Sequence, residues 1–165
     1  MEMIKMYLEE LEQEAKVSKK MLERIPNDHF GWKPHEKSMD IKNLAGHLAD
    51  LHSWAGLILS TDELDFMNMP YQLEDMNNTA ELLNCLEKSL DKSRAQLVPE
   101  MEKALNDNWT LRSGETIYDV SPKTKVIRMS LNQITHHRAQ LGVYLRLLDI
   151  PLPASYGPSA DEKEF

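Results

Sequence analysis

The sequence predicts a helical bundle, an all-α fold, on three observations. Four stretches of the 165-residue chain place apolar residues at alternating steps of three and four, the period of an amphipathic helix. Ten methionines stand against six glycines, which suits helices, where unbranched side chains lose little freedom and glycine is disfavoured. The chain has no internal repeat and no glycine-rich phosphate loop, and its length fits a single domain, residues 1–165, with a core of its own.

The first stretch, residues 1–25, sets Ile4, Leu8, Leu11, Ala15, Leu22 and Ile25 on one face, with Ser18 filling the gap, and Pro26 ends it. Its other face, carrying Glu9, Glu12, Glu14, Lys16, Lys19 and Lys20, reads as solvated. Residues 26–37 are rich in turn formers, with Phe30 and Trp32 as apolar anchors. A second helix is predicted over 39–60, capped by Ser38, with Asp40 near the positive end of its dipole and a core stripe from Ile41 through Leu44, Leu48, Leu51 and Ala55 to Ile58. Residues 61–78 have no helical period and include Pro70. A connection this long inside a compact domain is expected to lie over a cleft mouth.

Asn78 or Thr79 caps a third helix to about Val98, with Leu83, Leu86, Leu90 and Leu97 inward and Pro99 as the stop. Between Asn106 and Pro122 the pattern alternates about Ser113 and Gly114, which suggests a short hairpin or an extended loop whose aromatic side chains pack. The last helix runs from about Thr124 to Leu148 and stops before Pro151 and Pro153. The tail is expected to be ordered as far as Tyr156 and frayed beyond its acidic residues.

Charge and cysteine content narrow the function classes. A net charge of -8 disfavours attraction to phosphate backbones or anionic lipid, so nucleic acid and membrane surfaces are not expected partners. Cys85 is the sole cysteine, which leaves no internal disulfide. No run of about 18 apolar residues occurs, and the N-terminus is acidic and amphipathic rather than a basic leader. A cytoplasmic location is the expectation.

The last helix holds the candidate chemistry. Ser130, Gln133, His137, Gln140 and Tyr144 form a polar stripe beside a mostly apolar one, in which Arg138 is the exception. Such a stripe is expected to line the interior or a cleft. Imidazoles and carboxamides at one-turn spacing suit a metal ion, a polar ligand, or a hydrogen-bonded interior. His47, at the edge of the second helix's core stripe, is expected to point inward or into a cleft and is the second candidate. His52 lies off that face and is expected to be partly exposed, and His29 and His35 belong to the preceding loop.

Residues 32–39 (WKPHEKSM), 44–48 (LAGHL), 136–146 (HHRAQLGVYLR) and 156–162 (YGPSADE) together resemble the DinB-like family of damage-inducible, metal-binding four-helix proteins. The resemblance implies an up-down-down-up four-helix bundle, often a homodimer, with three histidines holding a divalent ion such as nickel or zinc. One ligand comes from the second helix, matched by His47, and two come from the last helix at i and i+4, matched by Gln133 and His137. Glutamine replaces the usual histidine at 133, and Ala139 replaces a typical glycine.

A carboxamide oxygen is a harder, weaker donor than imidazole for these metals. Gln133 therefore serves as a weak ligand or as a hydrogen-bonding member of a metal-free network. His136, about 60° from Gln133 on the side away from His137, ranks below it as a substitute. Some relatives are similar to transferases and isomerases that use a low-molecular-weight thiol, with the covering loop shaping the cleft and Gln140 and Tyr144 as supports. Two readings follow: a metal-dependent thiol transferase acting on a small electrophile, or a noncatalytic ligand-binding or stress-response protein.

Overall fold

Helix α1 (Met3–Leu22) buries the face its spacing marks: Ile4, Leu11, Ala15, Ser18 and Leu22 are sealed, with Ile25 just beyond the helix. Its first N–H groups have no local cap. The carboxylate of Glu102 accepts from Met3 N at 2.8 Å and Ile4 N at 3.0 Å, setting a negative charge at the positive helix end. This computed structural model describes residues 2–68 and 74–164.

The second predicted helix is two helices. Helix α2 (Ile41–Leu51) starts at Asp40, whose carboxylate accepts from Asn43 N at 2.8 Å, so Asp40 rather than Ser38 is the cap. After a turn at His52 and Ser53, helix α3 (Trp54–Ser60) continues the core stripe through Ala55 and Ile58. Ser93 bridges the break, since its hydroxyl donates to His52 O at 2.6 Å and accepts from Gly56 N at 3.0 Å. These backbone groups are satisfied from 37 to 41 residues away, out of reach of any local sequence signal.

Strand β1 (Glu63–Asp65) follows, and helix α4 (Thr79–Arg94) begins at the expected cap, with Asn78 Oδ1 accepting from Glu81 N at 3.0 Å. Leu82, Cys85, Leu86 and Leu90 face the core, and Leu83 is only half-buried. The helix ends at Arg94, short of the expected stop at Val98, and Pro99 instead opens a 3-10 helix, Pro99–Asn106. Where α4 passes α3 the backbones nearly touch: a Cβ on Gly56 would lie 2.6 Å from Lys92 O and 2.9 Å from Ser93 Cα. Gly56→Ala is therefore expected to destabilise the protein by about 1–3 kcal/mol, read as a lower urea midpoint at unchanged m-value.

Strands β2 (Asn108–Ser113) and β3 (Thr116–Pro122) form the expected hairpin, antiparallel, with a register shift between Leu111 and Arg112. Gly114, at φ +57°, makes its tight turn. β1 joins β2 in parallel to give the order β1-β2-β3, which corrects the all-α expectation to a mostly helical fold with a small sheet. The three residues of β1 are too short for an alternation signal. Asp65 secures them to the hairpin, accepting from Gly114 N and Met67 N, each at 2.9 Å. Trp109 packs in the core, whereas Tyr118 is exposed, against the expectation that both aromatics pack.

Helix α5 (Lys123–Leu147) packs on α1, α2 and α3, and α4 packs on α1, α2 and α3. Leu131, Ile134, Leu141 and Leu145 run down its core side. It ends in a Schellman motif, with Ile150 N donating to Leu145 O and Asp149 N to Arg146 O, and Asp149 in the left-handed region at φ 58°. The tail is fastened past Tyr156: Asp161 pairs with Arg146, Glu162 with Arg24, and Ser159 Oγ donates to Leu152 O at 2.8 Å. None of the helices described is long and apolar enough to cross a membrane.

Candidate functional site

α2 and α5 bring His47 and His137 together. Their ring centroids are 4.7 Å apart and their planes cross at 72°. His47 is half-buried and His137 is 8% exposed. Burial is the main cause that pushes both imidazoles below their ordinary range, aided for His47 by the neighbouring His137. Both are consequently neutral near pH 7, the form that binds metal or accepts a proton.

His137 is oriented. Its Nδ1–H donates to Oε1 of Gln140 at 3.0 Å, which assigns the lone pair to Nε2. Tyr144, two turns along α5, meets Trp32 edge to face at 5.6 Å and 74°, so the predicted anchor of the 26–37 loop flanks the same helix face.

The polar stripe is not uniformly interior. Ser130 and His137 are buried, but Gln133 and Gln140 are exposed, which corrects the expectation for those two. Gln133 precedes His137 by one turn and is exposed. His136 is exposed, with its ring 4.9 Å from that of His137. Among the described residues, no three His, Cys, Asp or Glu side chains converge as a metal would require. The fit to a divalent ion therefore rests on two neutral nitrogen donors, one of them oriented. These residues suit a weak, open site.

Part of the expected covering loop, residues 69–73, lies outside the described residues. After it, Met76 is buried against α2. A Cβ added to Gly46, the residue before His47, would lie 2.9 Å from Met76 Cε. Lys42 of α2 pairs with Asp75 and donates to Asn77 Oδ1 at 2.8 Å, tying this segment to the helix that carries His47.

Sequence reasoning missed a second polar cluster. Glu14, placed on the solvated face of α1, is buried, as is Arg138, and their side chains meet at 2.6 Å. Tyr156 from the tail donates to the Glu14 carboxylate at 2.8 Å and accepts from Arg138 Nη2. Beside them His52 is completely buried, correcting the expectation that it is partly exposed. Arg138 was the one signal available, a cation in an apolar series that required a buried partner.

A mostly helical fold with a small three-stranded sheet before its last helix defines the class. The DinB family model matches residues 1–164, and the chain belongs to that family. It is 24% identical over 131 residues to the uncharacterised protein YjoA of Bacillus subtilis (strain 168), a span covering 79% of this chain and 80% of that protein. The crystal structure of the DinB-like YjoA superposes with a TM-score of 0.68 at 18% identity, covering 96% of this chain and 99% of that one. A DinB-like protein from Bacillus cereus superposes at 0.64 and 13% identity, covering 91% and 95%.

Proposed function

We propose that the protein is a divalent-metal-dependent transferase that joins a low-molecular-weight thiol to a small electrophile at the His47–His137 pair. The observation that supports this reading is the approach of two neutral imidazoles from separate helices, with Gln140 fixing the tautomer of one. His47 and His137 would hold the ion, nickel or zinc by donor type, and Gln133 would lend a carboxamide oxygen or orient water. When bound, such an ion lowers the pKa of a thiol at its open position, making the thiolate available near neutral pH. In this reading the protein works in the cytoplasm, as a homodimer.

Elemental analysis of protein purified without a histidine tag or chelating resin tests this first. Near-stoichiometric nickel or zinc is expected, with thiol conjugation lost in His137→Ala and metal bound more tightly in Gln133→His. Metal-loaded protein that turns over no cellular thiol across a panel of electrophiles would sink the proposal. The exposure of Gln133 favours a second reading, a noncatalytic ligand-binding or stress-response protein. Under it, Gln133→His adds metal affinity and no activity.

A further inference from the structure

Counted at about 100° per residue, Arg146 lies about 180° around α5 from His137. That far side of the helix borders a cavity of about 570 Å³, whose other wall is the C-terminal tail. The volume is that of a small-molecule site. Most of its surface is apolar, from Met21, Gly142, Val143, Leu147, Leu152 and Pro153. Val143 and Leu147 are each 60% exposed, leaving apolar area that an occupant would cover.

The charge on the cavity wall is opposite in sign to that of the chain. Among the described residues, its charged lining consists of Arg138 and Arg146, with no carboxylate, in a protein of net charge -8. Arg138 is committed to Glu14, Ser18 and Tyr156. Arg146 is different: its side chain is 45% exposed and its partner Asp161 also reaches solvent. An exposed ion pair contributes little, and a guanidinium has donors for two carboxylates. Thr135 and Tyr156, whose hydroxyls lie 3.2 Å apart, add a polar edge beside Arg138.

We propose that this cavity binds a small amphipathic carboxylate, with its apolar body along α5 and its head at Arg146. The complement of an apolar slot with a cationic rim is an apolar chain with one anionic end. The site is separate from the histidine pair and does not depend on its chemistry.

Displacement of anilinonaphthalene sulfonate, followed by fluorescence, tests this with decanoate and its neutral analogue 1-decanol. Wild-type protein is expected to bind decanoate one to one. Arg146→Gln should weaken decanoate at least fivefold and leave 1-decanol unchanged, while Ala139→Trp, which fills the slot from an exposed position, should abolish both. His137→Ala and the distant Val120→Glu should bind as wild type. No decanoate binding, unchanged binding in Ala139→Trp, or loss of binding in His137→Ala would overturn the proposal. So would sedimentation showing a wild-type dimer that Ala139→Trp dissociates, since a second copy would then occupy the face.

Discussion

Arg138→Ala is expected to cost the fold about 3–5 kcal/mol, because it strands a carboxylate inside the bundle. The Glu14 side chain is 9% exposed and that of Arg138 is 4% exposed, so neither charge has recourse to water. Arg138 also donates to Ser18 Oγ at 3.2 Å and to the Glu14 backbone oxygen at 3.3 Å, so one side chain joins α5 to α1 at three points. Without it, the Glu14 carboxylate keeps the Tyr156 hydroxyl as its donor, too little to offset burial of a full charge. The thermal midpoint should fall on the order of 10 °C. Tyr156→Phe, which removes one hydroxyl and leaves the ion pair, should cost about 1–2 kcal/mol.

The double variant Glu14→Leu/Arg138→Met separates the worth of the pair from the damage of breaking it. Two apolar side chains of similar length leave no buried charge, so the double variant should be more stable than Arg138→Ala alone. Urea titrations of the singles and the double give the coupling. Single-variant losses under about 0.5 kcal/mol would mean that water reaches the cluster, and the interior assignment would be wrong.

This cluster also shows where sequence reading stops. The core faces of α1, α2, α4 and α5 follow from the spacing of their apolar residues, and the Asn78 cap and the Gly114 hairpin follow from side-chain chemistry acting over two or three residues. His47 and His137 were both legible as inward positions at helical spacing, and the structure brings their rings together. What was not legible depends on partners distant in the chain. Glu14 is buried because Arg138, 124 residues on, and Tyr156, 142 residues on, meet it. The break between α2 and α3 is held by a hydroxyl on α4, and β1 exists because β2 is there to pair with it. Gln133 is on the expected stripe, yet is exposed, because helical spacing marks a face without saying which neighbouring element covers each of its residues.

His52 predicts how stability depends on pH. Its Nδ1–H donates to Leu48 O at 3.0 Å, so Nε2 carries the lone pair, and that atom is buried with no hydrogen-bond partner. Burial, with the Arg138 cation adding to it, pushes the imidazole from 6.5 down to about 4. Between those values the unfolded chain takes up a proton that the folded one refuses. Stability therefore rises with pH across this window: the contribution is complete above about pH 6.5 and is lost as pH falls toward 4. The shift corresponds to about 3 kcal/mol.

His52→Leu should remove that slope. His47 and His137 are lowered in the same direction and titrate in both proteins, so the difference between the two pH profiles isolates His52. Urea midpoints at pH 4.5 and pH 7 should fall further apart in the wild type than in the variant. Parallel profiles would mean that the folded protein accepts the proton on Nε2, with the Glu14 backbone oxygen beside the ring taking its hydrogen bond.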